Sequence, residues 1–262
     1  MGSALRTILQ RNFALGELYP MYTAQSRAAF RQMLPEVKDK IKVVYGHFCL
    51  DLADWLPRDM VFITMLRDPV ERVASHYYFN RFVRKTGPEF QLSLRAYLEQ
   101  RDHTPIDNWM VRCLSGVTDR IPLGKCTAEM LEAAKQATNR FLFIGLSERF
   151  DESRALLCKL FDFPVRYCPL TNINPNRPAM ETISREDIAI IEQYNQLDRE
   201  LYLHCSRRFD KQLTETDIST QLQKLQRRRD NGWLRTFDIT SQNARQQWRR
   251  FTKKLLGKRQ YG

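Results

Sequence analysis

The sequence predicts an α/β fold, with a parallel sheet covered on both faces by helices. Three observations carry that expectation. Met60–Leu66 (MVFITML) is apolar except for Thr64, the pattern of a strand buried on both faces. Phe141–Leu146 (FLFIGL) repeats it. Each run passes directly into helix-forming sequence, and buried strands alternating with helices are what parallel strands joined by crossover helices look like.

In chain order, Ser3–Ala14 spaces Leu5, Ile8, Leu9 and Phe13 at helical intervals and reads as an amphipathic helix. A second helical stretch, from Ser26 to Lys38 with a break at Pro35, leads into the short strand Lys42–Tyr45, closed by Gly46-His47-Phe48. After Leu66, Asp68 is placed to cap a helix, Pro69 to fill its first position and Glu71 to reach back as the acid of a capping box. Further helices are expected at Leu92–Arg101, Asn108–Leu114, Thr127–Asn139 and, behind the second buried strand, Arg149–Phe161. Leu170–Ala179 is a proline- and asparagine-rich loop. Ser184 to Gln212 reads as one long helix, begun by Ser184 with Asp187 three residues on. There is no internal repeat.

With 262 residues, 43% of them hydrophobic, the chain can close one substantial core and falls short of two full domains. The net charge of +12 is unevenly placed: from residue 221 to 262 there are 12 Lys/Arg against two Asp/Glu, a local +10 that leaves the rest near neutral. We therefore expect a domain over 1–220 and a basic, partly helical tail over 221–262. That tail reads as a solvated arm or as a contact for a polyanion such as a glycan, nucleic acid or anionic lipid.

The six cysteines include no C-x-x-C pair and no Cys/His cluster of metal-ligand spacing, so no metal is expected, and buried reduced thiols are the plain reading. Cys158 and Cys168 flank a turn that an oxidising compartment would allow to be bridged. No run of 18 apolar residues and no apolar leader occurs. As written, the chain reads as soluble and cytoplasmic; a segment upstream of Met1 would make it membrane-anchored or Golgi-like.

Ligands of a parallel α/β sheet gather at the carboxyl ends of its strands. Arg67 stands there, with a guanidinium suited to a phosphate, and Ser75 lies two turns into the following helix with a hydroxyl to add. The competing readings are a salt bridge from Arg67 to Asp68 or Glu71, and a solvated helix serine.

The stretch Leu66-Arg67-Asp68-Pro69-Val70-Glu71-Arg72 through Ser75, Tyr77, Tyr78 and Phe79 resembles the 3'-phosphate-binding segment of carbohydrate sulfotransferases, closest to the heparan sulfate 2-O-/6-O-sulfotransferase-like group and its bacterial relatives. Gly46-His47-Phe48, Asp107-Asn108 through Leu114-Ser115-Gly116, and Gly145-Leu146-Ser147-Glu148-Arg149-Phe150 agree in order, so the resemblance covers roughly residues 2 to 209. It implies a P-loop NTPase-like three-layer sandwich with a central parallel sheet. It also implies that Arg67 and Ser75 bind the 3'-phosphate of 3'-phosphoadenosine 5'-phosphosulfate, that a carbohydrate hydroxyl is the acceptor, and that His47 is the general base. A neutral imidazole suits that work near pH 7; a hydrogen-bonded turn histidine is the plain alternative. Arg177, in the loop Asn172–Pro178, is a further candidate for contact with nucleotide or acceptor.

Such enzymes open with a strand and a Pro-Lys-Thr-Gly/Ala-Gly-Thr/Ser loop around the 5'-phosphosulfate. Here Met1-Gly2-Ser3-Ala4-Leu5 resembles only the end of that loop and the helix after it, which leaves Gly2 and Ser3 as its donor-binding residues and the first strand and loop lysine absent. The expectation is that codons upstream of Met1 supply them. Arg84-Lys85-Thr86-Gly87 contains a KTG but follows a helix and reads as a surface loop. A phosphotransferase is disfavoured because no G-x-x-x-x-G-K-[ST] stretch occurs. The non-catalytic alternative is an impaired sulfotransferase-like protein that binds polyanions through its basic tail.

Overall fold

The computed structural model describes residues 2–46, 60–85, 88–100, 104–117, 121–169 and 177–259. The chain divides into two compact units, one of Met1–His47, Arg154–Thr171 and Thr216–Gly262, the other of Phe48–Ser153 and Asn172–Glu215. The α/β class with parallel strands is as expected from the sequence; the described strands pair two and two, one parallel pair in each unit.

In the first unit, helix α1 (Gly2–Asn12) precedes strand β1 (Leu18–Met21), helices α2 (Ala24–Arg31) and α3 (Pro35–Lys38), and strand β2 (Val43–Gly46). Pro35 breaks the helical stretch as anticipated. β1 is absent from the sequence reading: it is four residues long and contains Pro20, which signals against a strand interior. It pairs in parallel with β2, Leu18 opposite Val43 and Met21 opposite Gly46. A side chain at position 46 would place Cβ 1.9 Å from the Met21 carbonyl oxygen, so only glycine lets the strand ends approach this closely.

The basic C-terminal segment is helical, α12 (Ser219–Asp230) and α13 (Gly232–Arg259). It is no free arm. Asp238 and Gln242 are buried, and Arg11 on α1 donates from Nη2 to the Asp238 carbonyl and to Gln242 Oε1, both at 2.7 Å. A buried guanidinium needs acceptors, and α13 supplies them.

In the second unit, strand β3 (Phe62–Leu66) runs into helix α4 (Pro69–Phe79), which ends in a π-turn over Asn80–Arg84. Helices α5 (Pro88–Gln91), α6 (Leu94–Glu99), α7 (Trp109–Leu114) and α8 (Ala128–Thr138) follow, then strand β4 (Phe141–Leu146), helix α9 (Phe150–Leu160), which carries the chain back to the first unit, and helices α10 (Arg185–Tyr194) and α11 (Gln196–Glu215). β3 pairs in parallel with β4, from Ile63 opposite Phe143 to Leu66 opposite Leu146. The expectation of burial on both faces holds for β4, where only Leu142 is exposed. In β3 only Leu66 is fully buried, β4 being the strand's one partner among the described residues. The core packs α4 against α6 and α10 through Val73, Ala74, Tyr77, Tyr97, Leu98 and Ile191.

The single long helix read over Ser184–Gln212 is two helices broken at Asn195, although Ser184 caps the first as expected. The break has a tertiary cause. Asn195 is buried, and its Nδ2 donates to the carbonyls of Ile106 and Ile191 at 2.7 Å each. Next to it the buried Asp198 accepts from the backbone N–H groups of Met110 and Val111 at the start of α7, and Asn108 Oδ1 accepts from Asp198 N–H. The Asp107-Asn108 stretch thus serves as frame: Asp107 also forms an ion pair with the fully buried Arg112.

The thiols of Cys158 and Cys168 are free and buried, so the turn they flank is not bridged. Burial pushes Cys158 up to about 11 and Cys205 up to about 12, which makes both unreactive near neutral pH. Among the described residues no helix is long and apolar enough to cross a membrane.

Candidate functional site

The site builds from the junction of β3 and α4. Asp68 Oδ1 accepts from the N–H groups of Val70 and Glu71 at 3.0 and 3.2 Å, and Pro69 fills the first helical position. The expected cap is therefore in place. Its consequence is that the first amides of α4 are already engaged, so an anion here must be met by side chains and not by the helix terminus.

Those side chains are present. Arg67 Nη2 donates to Glu71 Oε2 at 2.6 Å, and Arg177 Nη2, distant in sequence, donates to the same oxygen at 2.6 Å. The expected reach of Glu71 back to the Asp68 N–H is not formed. Two guanidiniums claim the Glu71 carboxylate, charge-assisted bonds being stronger than a bond to a neutral amide, and Glu148 Oε1 takes the Asp68 N–H instead, at 3.1 Å. The salt-bridge reading of Arg67 is thereby realised. It leaves one carboxylate facing two guanidiniums. Burial raises the Glu71 carboxyl, but the hydrogen bonds and charges of Arg177 and Arg67 outweigh it and hold the group below its ordinary value.

The arginines are not saturated. Nε of Arg67 and Nε of Arg177 are both buried and have no hydrogen-bond partner among the described residues. Buried donors left unpaired are costly, and a tetrahedral oxyanion with several acceptor oxygens is the group that would satisfy them. Ser75, half-buried, stands one helical turn beyond Glu71 on the same face of α4. The residues therefore fit a phosphate on charge, on unpaired donors and on hydroxyl supply.

A second layer fixes the turn. Arg199 Nη1 donates to Asp68 Oδ2 at 2.5 Å, and the Tyr202 hydroxyl donates to Glu148 Oε2 at 2.9 Å. Burial and the neighbouring Glu148 carboxylate push the Tyr202 phenol well up, so it remains a donor. At the end of β4, Ser147 N–H donates to the Leu66 carbonyl at 2.9 Å, which continues the β3–β4 pairing up to the site.

Of the residues singled out by sequence, the structure thus brings Arg67 and Arg177 to one carboxylate oxygen and sets Ser75 on the same helical face. Gly2 and Ser3 open α1 in the other unit. His47 lies outside the described residues, as do residues 170–176 of the loop before Arg177 and Thr86-Gly87 of the KTG stretch; Lys85 directly follows the π-turn, as a surface position. Sequence reasoning missed Glu148, Tyr202 and Arg199. Glu71 was legible as a partner of Arg67 from its i,i+4 spacing, not as the meeting point of two arginines.

In a comparison with protein families, the model of the family described as Galactose-3-O-sulfotransferase matches residues 18–250. Comparison with the curated proteins finds no match.

Proposed function

Since the chain belongs to the galactose-3-O-sulfotransferase family, a family of carbohydrate sulfotransferases, we propose that it transfers a sulfuryl group from 3'-phosphoadenosine 5'-phosphosulfate to a hydroxyl of a galactose-containing glycan. The observation that carries the donor assignment is the convergence of Arg67 and Arg177 on Glu71 Oε2, with an unpartnered buried Nε on each arginine. That arrangement sits at the carboxyl end of a parallel strand, the place where α/β sheets bind ligands.

In this reading the 3'-phosphate takes the free donors of Arg67 and Arg177 and the hydroxyl of Ser75. Gly2 and Ser3, at the start of α1, serve the 5'-phosphosulfate, as the resemblance of that segment to the end of the donor loop implies. His47 accepts the proton of the acceptor hydroxyl while the new S–O bond forms to that oxygen. The S–O bond to the 5'-phosphate breaks in the same transfer, and the products are a sulfate ester and adenosine 3',5'-bisphosphate. Positioned proton acceptance of this kind contributes roughly 10²–10⁴-fold.

The test is a calorimetric titration with adenosine 3',5'-bisphosphate. Wild type binds, and Arg67→Ala, which removes a charged hydrogen-bonding partner of about 1.5–3 kcal/mol, binds about 10- to 150-fold more weakly. Equal affinity in a folded variant overturns the assignment of the site.

A further inference from the structure

The basic helices of the first unit carry a feature that the transfer reaction does not use. Trp233 and Phe237, one turn apart on α13, are 71% and 54% exposed, and their rings stack with centroids 5.7 Å apart and planes 14° from parallel. Exposed large aromatics placed singly need no explanation; a stacked pair held in water does. Nor can the helix roll to cover them. On its other face Asp238 Oδ2 accepts from Tyr167 N–H and from Arg228 Nη1, both at 2.7 Å, and Gln242 is held by Arg11.

We propose that Trp233 and Phe237 form a docking platform for a sulfated glycan chain, separate in role from the transfer site. The partner is fixed by three observations. The surroundings are cationic: residues 221–262 carry a net +10, with Arg227 and Arg235 exposed beside the pair in sequence, so an anionic partner is attracted and a second copy of the same surface repelled. The patch is narrow. Among the described residues, the other exposed positions from 235 to 247 are the polar or charged Arg235, Thr236, Thr240, Asn243, Arg245 and Gln247, with Ala244 the one apolar side chain, whereas a helix lying in a bilayer interface needs a continuous apolar face. Flat rings carried on a basic helical segment match a sulfated pyranose chain, whose ring faces carry C–H groups and whose sulfates pair with arginine. The inference rests on the reading that the chain acts on carbohydrate.

The experiment compares wild type, Trp233→Ala/Phe237→Ala and Arg227→Gln/Arg235→Gln as full chains. The probes are dextran sulfate, unsulfated dextran, phosphatidylglycerol vesicles and, on the same samples, adenosine 3',5'-bisphosphate. The expected result is salt-dependent binding to dextran sulfate, none to dextran, and a loss of about tenfold or more on removing the two rings at constant charge, with bisphosphate affinity unchanged. The arginine variant should weaken binding and flatten its salt dependence. Dextran sulfate affinity that ignores the rings overturns the proposal in favour of a charge-only contact. Ring-dependent vesicle binding without ring-dependent glycan binding overturns it in favour of a membrane, and a ring-dependent dimer overturns it in favour of self-association. If bisphosphate fails to bind wild type while ring-dependent glycan binding persists, the donor assignment falls and the platform stands.

Discussion

Arg67 and Arg177 donate to the same oxygen, Glu71 Oε2, at the same distance of 2.6 Å, from positions 110 residues apart in the chain. Shared in this way, a single carboxylate balances one guanidinium and leaves one positive charge over. Removing either arginine leaves the other neutralised by Glu71. We therefore expect Arg177→Ala to weaken adenosine 3',5'-bisphosphate binding about as much as Arg67→Ala does. We also expect Glu71→Gln in the Arg177→Ala background to restore part of the loss, since it frees Arg67 from its carboxylate. Calorimetry on the four proteins checks this; an Arg177→Ala protein with wild-type affinity removes Arg177 from the site.

Glu71→Gln alone should tighten bisphosphate binding, because the phosphate no longer competes with a built-in carboxylate. Partly exposed charge pairs contribute about 0.3–1 kcal/mol, so the gain is about 2- to 5-fold. The same group sets a pH dependence. Its folded-state value lies below the ordinary carboxyl value, so its stabilising contribution is complete above the unfolded value and disappears as pH falls through the depressed folded one. Acid titration of stability should show this loss in wild type and not in Glu71→Gln. Identical profiles would mean that the carboxylate contributes nothing.

The clustering of buried polar groups around α7 predicts a stability effect away from the site. Asp198 is fully buried, accepts two backbone N–H groups and faces Arg72 Nε at 3.9 Å. Asp198→Ala leaves the Arg72 charge and both amides without their partner. Breaking a buried pair of this kind costs about 3–5 kcal/mol, and urea denaturation should report a loss of that size. A cost below 1 kcal/mol would mean that water replaces the carboxylate.

The limits of the sequence are visible in these same residues. Asp68, Pro69 and Ser184 announce helix starts through local chemistry, and the structure follows them because a cap involves only neighbours. Glu71 carries an equally local signal, the reach back to the Asp68 N–H, yet Arg177 overrides it from 106 residues further along the chain. Asn195 looks like an ordinary helix residue until its amide is drawn to the Ile106 carbonyl, and the long helix breaks there. The Arg11 contacts that fix the basic tail are likewise tertiary. A place at the end of a predicted strand, spacing along the next helix and the family resemblance made Arg67 and Ser75 candidates, and a place in the loop Asn172–Pro178 made Arg177 one. Which of them meet, and at which atom, depends on contacts that no spacing encodes.

Gly46 and His47 give a prediction in which stability and chemistry separate. A Cβ at position 46 would lie 1.9 Å from the oxygen and 2.6 Å from the carbon of the Met21 carbonyl. Those are backbone atoms of β1, which cannot swing aside as a side chain can. Gly46→Ala must therefore push the paired ends of β1 and β2 apart, with a loss of about 1–3 kcal/mol or more from overpacking, and it displaces the segment that leads into His47. His47→Ala removes only the proposed base. It should leave both stability and bisphosphate affinity near wild type while turnover falls by roughly 10²–10⁴-fold. Urea denaturation, calorimetry and sulfate transfer to a galactoside, measured on both variants, distinguish the two effects. Turnover near the wild-type rate in His47→Ala would make His47 a turn residue and return the search for the base to the other groups around the acceptor.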